Sequence, residues 1–183
     1  MPPTLVIRDT PEELFEAAAE RFATALRQAV AEHGSFHVAL AGGSTPAGLY
    51  RRLAAADYAD LPWGDCHVYF GDERRVPPED ADSNYRMARE TLLDHVPIPA
   101  AQVHRMLGDD EPTTAAAAYA ERLRANLPGV EGVPILDLVL LGLGADGHIA
   151  SLFPGTSALD SVEPAAAHWV PSLAAWRLTL PLP

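Results

Sequence analysis

ILDLVLLGLGADGHIASLFPG occupies residues 135–155 and carries the clearest structural signal in the chain. Its first part, Ile135–Leu141, is an apolar run. Such a run suits a strand covered on both faces, as in a parallel sheet. It opens into Gly142-Leu143-Gly144-Ala145-Asp146-Gly147-His148. Gly142–Gly147 matches G-x-G-x-x-G, but a dinucleotide fingerprint needs a long helix after its last glycine. Here Pro154-Gly155 follows soon after, so the run reads instead as a tight turn that presents His148. A histidine titrates near neutrality and suits general-base work, and Asp146, two residues away, is placed to orient its ring or to contact substrate. The plain alternative is a histidine bonded to nearby backbone.

Working outward, two more strands end in polar, glycine-bearing loops. Phe36–Ala41 (FHVALA) runs into Gly42-Gly43-Ser44-Thr45-Pro46, and Cys66–Phe70 (CHVYF) runs into Gly71-Asp72-Glu73-Arg74-Arg75. In the first loop, glycine lets backbone approach a ligand closely. Ser44 or Thr45 is suited to cap a helix from about Pro46 to Ala56, whose free N–H groups would form an anion site. A capped turn without ligand is the alternative, and no Gly-Lys-Ser/Thr follows, so this is not a Walker loop. In the second, an arginine beside a buried strand end suits a phosphate or a polarised carbonyl. A solvated loop with surface ion pairs is the alternative there.

Helical segments separate these strands. Asp9-Thr10-Pro11-Glu12-Glu13 reads as a helix start and Gly34 as its stop, with Leu14, Phe15, Ala18, Phe22, Ala25, Leu26, Ala29 and Val30 at helical spacing. Two further helical stretches lie near Ser83–His95 and Thr113–Asn126, with Asp82-Ser83-Asn84 a good cap. Thr4–Arg8 (TLVIR) and Trp176–Leu180 (WRLTL) read as the first and last strands. Strands alternating with helices imply a parallel α/β sheet with right-handed crossovers, in which ligands bind at the carboxyl ends of strands.

Composition bounds the function. The chain has 183 residues, enough for one domain that buries roughly 70% of its unfolded surface. Thirteen basic residues, all arginine, stand against twenty-five acidic ones, net −12. That balance lacks the basic footprint of a nucleic-acid binder, and no apolar stretch is long enough for a membrane span. The N-terminus lacks a basic region followed by an apolar run, so the reading is cytoplasmic. Cys66 is the lone cysteine, which leaves no internal disulfide. It reads as packed at a strand start, and His33, His37, His67, His95, His104 and His168 read as structural. No metal-ligand spacing occurs, so no metal is expected. Ser151 lies in Ala-Ser-Leu, outside any G-x-S-x-G nucleophile elbow.

Taken together, LAGGSTP (40–46), GDER (71–74), DADSNY (80–85) and LGLGADGHIASLFPG (141–155) resemble the 6-phosphogluconolactonase family in their order. The resemblance implies a Rossmann-like α/β fold, a parallel sheet with helices on both faces. It also implies hydrolysis of 6-phosphoglucono-1,5-lactone to 6-phosphogluconate in the oxidative pentose phosphate pathway, without cofactor or metal. It makes His148 the base for attacking water, with Asp146 and Gly147 in its motif. Arg74 becomes the functional arginine of GDER. Gly42, Gly43, Ser44 and Thr45 become contacts to the sugar phosphate or its hydroxyls. Arg177 matches an R-x-T stretch and helps bind substrate, and Asp72 joins the substrate-binding set because it matches the catalytic aspartate of the related deaminases. Ile149 also occurs in those deaminases, but their pattern continues Ala-Phe-Asn-Glu, and Phe153 stands here in place of the glutamate. Deaminase or isomerase chemistry is therefore the second enzyme reading, and a non-catalytic sugar-phosphate binder the third. The resemblance further implies one α/β domain over residues 1–183 that stops short of the family's C-terminal strands, closing helix and phosphate-side lysine. An unfinished sheet edge and an apolar face are expected in consequence. The oligomeric state stays open.

Overall fold

The computed structural model describes residues 3–181. Helix α1 spans Pro11–His33; Thr10 caps it by accepting from the Glu13 N–H (3.2 Å), and Gly34 ends it at φ 86°. Its buried stripe is Ala19, Phe22, Ala23, Leu26 and Ala29. Strand β1 (Phe36–Leu40) follows, then α2 (Ser44–Leu53), β2 (Cys66–Phe70) and β3 (Asp72–Arg74). Helix α3 (Asn84–Ala88) passes directly into one wide π turn over Arg89–Leu93. Then come α4 (Pro112–Asn126), a short hairpin of β4 (Gly129–Val130) and β5 (Val133–Pro134), and β6 (Leu138–Val139). Strands β7 (Ala166–Val170) and β8 (Ala175–Thr179) close the described chain.

The parallel sheet has the order β2-β1-β6. Its five-residue strands β1 and β2 pair along their whole length, Phe36 opposite Cys66 and Leu40 opposite Phe70. Phe22 of α1 meets Phe36 edge-on, with ring centroids 5.4 Å apart, and stacks obliquely on Trp63 at 5.9 Å. Two tyrosines pin the strand exits. Tyr50 of α2 donates to the Ala41 carbonyl (2.8 Å) and accepts from its N–H (2.9 Å). Tyr119 of α4 does the same at Phe70, accepting at 2.8 Å and donating at 3.3 Å. Each phenol satisfies a donor and an acceptor that burial would otherwise leave costly. The carboxyl ends of β1 and β2 are thereby fixed to the helices that cover them.

A second, antiparallel sheet of order β3-β8-β7 adjoins the first. Gly71 joins the two, donating to the Leu40 carbonyl (2.9 Å) and accepting from the Leu180 N–H (2.8 Å).

Several sequence readings change. Thr4–Arg8 forms no strand: Leu5 and Ile7 lie exposed in irregular chain with no strand alongside to pair with. Ile135–Leu141 pairs only at Leu138–Val139. It is not covered on both faces, for Val139 is 42% exposed and Leu141 52%. The strand lies at the sheet's edge, beside an apolar groove of about 920 Å³ lined by Val139, Leu141, Ile149, Leu152 and Leu180 among others. The open edge and apolar face expected from the resemblance are therefore present. The last run pairs as Ala175–Thr179 in the antiparallel sheet rather than extending the parallel one. Helix α2 starts at Ser44, two residues earlier than Pro46, and its cap residue is Gly43, with no side-chain cap from Ser44 or Thr45. Glycine serves there because φ is 105°.

Candidate active site

All three glycine-bearing loops leave the carboxyl side of the parallel sheet, and buried polar bonds tie two of them together. The Ser151 hydroxyl donates to Asp72 Oδ2 (2.6 Å), which links the His148 loop to β3. Asn84, at the start of α3, donates through Nδ2 to Asp72 Oδ1 and to the Asp72 carbonyl, both at 2.9 Å. The Asn84 side chain also presses against Gly42, so closely that a Cβ on Gly42 would overlap its amide. Loop 41–45 thus packs closely on Asn84, the residue bonded to Asp72, which explains a glycine where φ alone does not require one.

The GDER segment is not the solvated charge cluster that its composition also allowed. Asp72 and Glu73 are both buried. Glu73 accepts from the N–H groups of Arg74 (2.8 Å), Asn84 (2.7 Å) and Tyr85 (2.9 Å) and from the Ser83 hydroxyl (3.1 Å). Burial pushes its pKa up while those four donors oppose the shift. Ser83 also caps α3 at the Arg86 N–H (3.1 Å), so the serine read as a cap serves the site as well.

Beyond Glu73, Arg74 lies directly opposite Arg177 in the β3–β8 pairing. Directly opposed residues of antiparallel strands project from the same face, and like charges there repel. Arg74 donates to the Asp82 carbonyl (2.5 Å) and Arg177 to the Trp176 carbonyl (3.1 Å). Neither pairs with a carboxylate among the described residues. Burial, and next the Arg74 charge, lower the pKa of Arg177. The carboxylates of Asp72, Asp82 and Glu73 offset part of that effect from a distance. Two guanidinium groups on one face, with no directly bonded carboxylate, are suited to hold an anion.

In the third loop, Gly144 donates to the His148 carbonyl (2.8 Å) and accepts from Gly147 (3.0 Å), closing a tight turn. His148 Nδ1 lies 2.5 Å from Asp146 Oδ1, and the His148 N–H reaches the same oxygen at 3.3 Å. The bond from the His148 ring holds the Asp146 carboxyl below its ordinary pKa. A carboxylate only accepts, so Nδ1 carries the hydrogen and Nε2 of the neutral ring keeps its lone pair. Phe153 stacks on the imidazole, centroids 4.2 Å apart and planes 22° from parallel. The ring is thus oriented by Asp146, backed by Phe153 and still partly open to solvent. That arrangement suits abstraction of a proton from a water molecule.

Sequence reasoning named His148, Asp146, Gly147, Arg74, Arg177, Asp72 and the 42–45 loop. Of these, the structure bonds His148 to Asp146, pairs Arg74 with Arg177 and encloses Asp72 behind them. It missed Asn84, Glu73 and Ser151 as members of the site. Asn84 and Ser83 lie inside a quoted motif, DADSNY, and were read there only as a helix cap.

The chain is an α/β protein whose polar loops, His–Asp pair and arginine pair gather at the strand ends, where ligands of such sheets bind. Residues 9–183 match the model of the glucosamine-6-phosphate isomerase/6-phosphogluconolactonase family, and the chain belongs to that family. It is 47% identical over 139 residues to a 6-phosphogluconolactonase of a Nostoc species, an alignment covering 75% of this chain and 57% of the relative. Against the 6-phosphogluconolactonase of Haemophilus influenzae it is 42% identical over 125 residues, covering 68% and 52%. The crystal structure of the 6-phosphogluconolactonase of Leishmania guyanensis superposes with a TM-score of 0.85 at 31% identity, covering 99% of this chain and 76% of that one. The chain spans about half the length of the curated relatives it matches.

Proposed function

We propose that this chain catalyses hydrolysis of a phosphorylated sugar lactone, 6-phosphoglucono-1,5-lactone, to the open-chain 6-phosphogluconate. The observation that carries this reading is the His148–Asp146 pair, whose geometry leaves Nε2 as a free base. Family membership and the names of the relatives support the choice of substrate.

In the proposed mechanism, neutral His148 Nε2 takes a proton from water as the water oxygen bonds to the lactone carbonyl carbon. Asp146 stabilises the imidazolium that forms. The tetrahedral oxyanion and the phosphate are the two negative centres to be held. Arg74 and the N–H groups at the start of α2 serve one, and Arg177 contributes to the other. The bond between carbonyl carbon and ring oxygen then breaks, and His148 returns its proton to the leaving oxygen. Lactones are activated esters, so general-base assistance of about 10²–10⁴ suffices alongside electrostatic stabilisation.

The surroundings of Asp72 argue against isomerase or deaminase chemistry. Asp72 is buried, and each of its carboxylate oxygens already accepts a hydrogen bond, one from Ser151 and one from Asn84. That setting favours a supporting role for Asp72 over a proton shuttle. The same reading treats residues 1–183 as one α/β domain, with a cytoplasmic setting that suits a charged substrate unable to cross a bilayer unaided. No helix among the described residues is long and apolar enough to cross a membrane. The test is turnover of freshly generated 6-phosphogluconolactone against glucosamine 6-phosphate as the competing substrate. Consumption of the lactone alone supports the reading, and release of ammonia from the amino sugar overturns it.

A further inference from the structure

Ser151 has no place in the mechanism above, yet it is 1% exposed and bonded through every polar group it owns. Its hydroxyl donates to Asp72 Oδ2 (2.6 Å) and its N–H to Thr179 Oγ1 (3.2 Å). Its carbonyl accepts from His168 Nε2 (2.7 Å). These partners sit on β3, β8 and β7, so one serine is fastened to all three strands of the antiparallel sheet. Asp72, Thr179 and His168 are themselves buried. The hydroxyl is not a nucleophile: its oxygen is enclosed, and His168 reaches the carbonyl rather than the hydroxyl.

The place of this anchor in the loop gives it meaning. Ser151 lies between His148 and Phe153, whose rings stack on one another. The residue before it, Ala150, has φ 47°, a left-handed conformation that a residue with a Cβ adopts at a cost. Strain of that kind persists only where surrounding structure over-determines it. The turn itself is closed by the Leu152 N–H donating to the Ile149 carbonyl (2.8 Å), and the three bonds to Ser151 fasten that turn to the antiparallel sheet. Loosening the fastening lets the turn move, and both rings with it.

We propose that Ser151 is a positioning residue, locking the 148–153 segment onto the antiparallel sheet so that the His148 ring keeps its place beside Asp146. Its contribution to hydrolysis rests on the reading given under Proposed function. Its contribution to loop geometry does not.

The test is Ser151→Ala in two backgrounds, with two readouts. The first is steady-state kinetics on 6-phosphogluconolactone. A ring displaced by about 1 Å costs on the order of 10²-fold in rate. Ser151→Ala is expected to lower kcat by up to that factor with KM held, and to change nothing further when added to His148→Ala. A merely structural serine would instead lower activity equally in both backgrounds. The second readout is the proton NMR spectrum of the His148 ring. Stacking on Phe153 shields those protons, and Ser151→Ala, which removes the bond to Asp72 and keeps the two main-chain bonds, is expected to shift them toward the positions of a free histidine. Unchanged His148 resonances in folded Ser151→Ala overturn the proposal. Should that variant fail to fold, His168→Leu removes the donor to the same peptide and is read in the same two ways. If the wild type shows no lactone hydrolysis, the functional reading fails, and the NMR arm still decides whether Ser151 positions the loop.

Discussion

Gly144→Ala separates catalysis from stability at one carbon atom. Gly144 is not among the residues with positive φ, so alanine fits its backbone without strain. A Cβ there, however, would overlap His148 Nδ1 and Cε1 and stand 2.7 Å from Asp146 Oδ1. Restoring ordinary carbon contacts of about 3.5–4.0 Å pushes the imidazole aside by more than about 1 Å. Ring and loop lie near the surface, so the buried packing that the shift disturbs is the stacking of His148 on Phe153. Replacing glycine where its φ is compatible narrows the unfolded ensemble and adds about 0.4–1 kcal/mol of stability, which offsets that loss. The variant is therefore expected to melt close to the wild-type temperature. Its kcat is expected to fall on the order of 10²-fold, the cost of misplacing a catalytic group by 1 Å. The assay is proton release from 6-phosphogluconolactone at constant pH, with the spontaneous rate subtracted and melting followed by circular dichroism. A folded Gly144→Ala protein with kcat within twofold of wild type would refute the placement of His148 and Asp146 as the working pair.

Gly42→Ala should act through packing instead. The added Cβ must expel the buried Asn84 amide and break its bonds to Asp72, at about 2 kcal/mol. A chain of this size then melts roughly 4–8 °C lower; an unchanged melting temperature would contradict the contact. Arg177→Met should raise KM tenfold or more for the phosphorylated lactone and leave the unphosphorylated lactone unaffected, since a bond to a charged group contributes about 1.5–3 kcal/mol. A KM within twofold of wild type for both would remove Arg177 from the anion site. Acid stability should be set far from the site, by the stacked His37, His67 and His104. Burial lowers all three pKa values, that of His104 to about 4, with like charge on neighbouring histidines and on Arg122 adding to it. A base whose folded pKa is depressed loses stability as pH falls below the unfolded value of about 6.5. His104 alone should therefore remove about 3 kcal/mol between pH 6.5 and 4, at 1.36 kcal/mol per unit. Melting curves of His104→Gln should be correspondingly flatter over that window, and equal slopes would disprove it.

What was legible in the sequence was whatever short-range chemistry controls. Thr10 and Gly34 bound the first helix because capping and left-handed backbone are local properties. The three loops were legible because glycine and polar residues directly follow apolar strands. Thr4–Arg8 failed because an apolar alternation becomes a strand only beside a partner, and none lies there. Ile135–Leu141 does supply a parallel strand, β6, but not one covered on both faces, because only β1 flanks it in the sheet. The buried polar centre was the least accessible. Ser151 meets Asp72 across 79 positions, and Thr179 across 28. No local pattern distinguishes such a serine from one facing solvent, whereas His168, read as structural, is buried and bonded to the Ser151 carbonyl.

If His148 is the base that activates water on a phosphorylated lactone, its removal must abolish the acceleration. The measurement is the rate of 6-phosphogluconolactone hydrolysis above background, in wild type and in His148→Ala. Acceleration by the wild type that falls by about 10²–10⁴ in the folded variant, with KM little changed, is the predicted result. A folded His148→Ala protein that hydrolyses the lactone at the wild-type rate would contradict it.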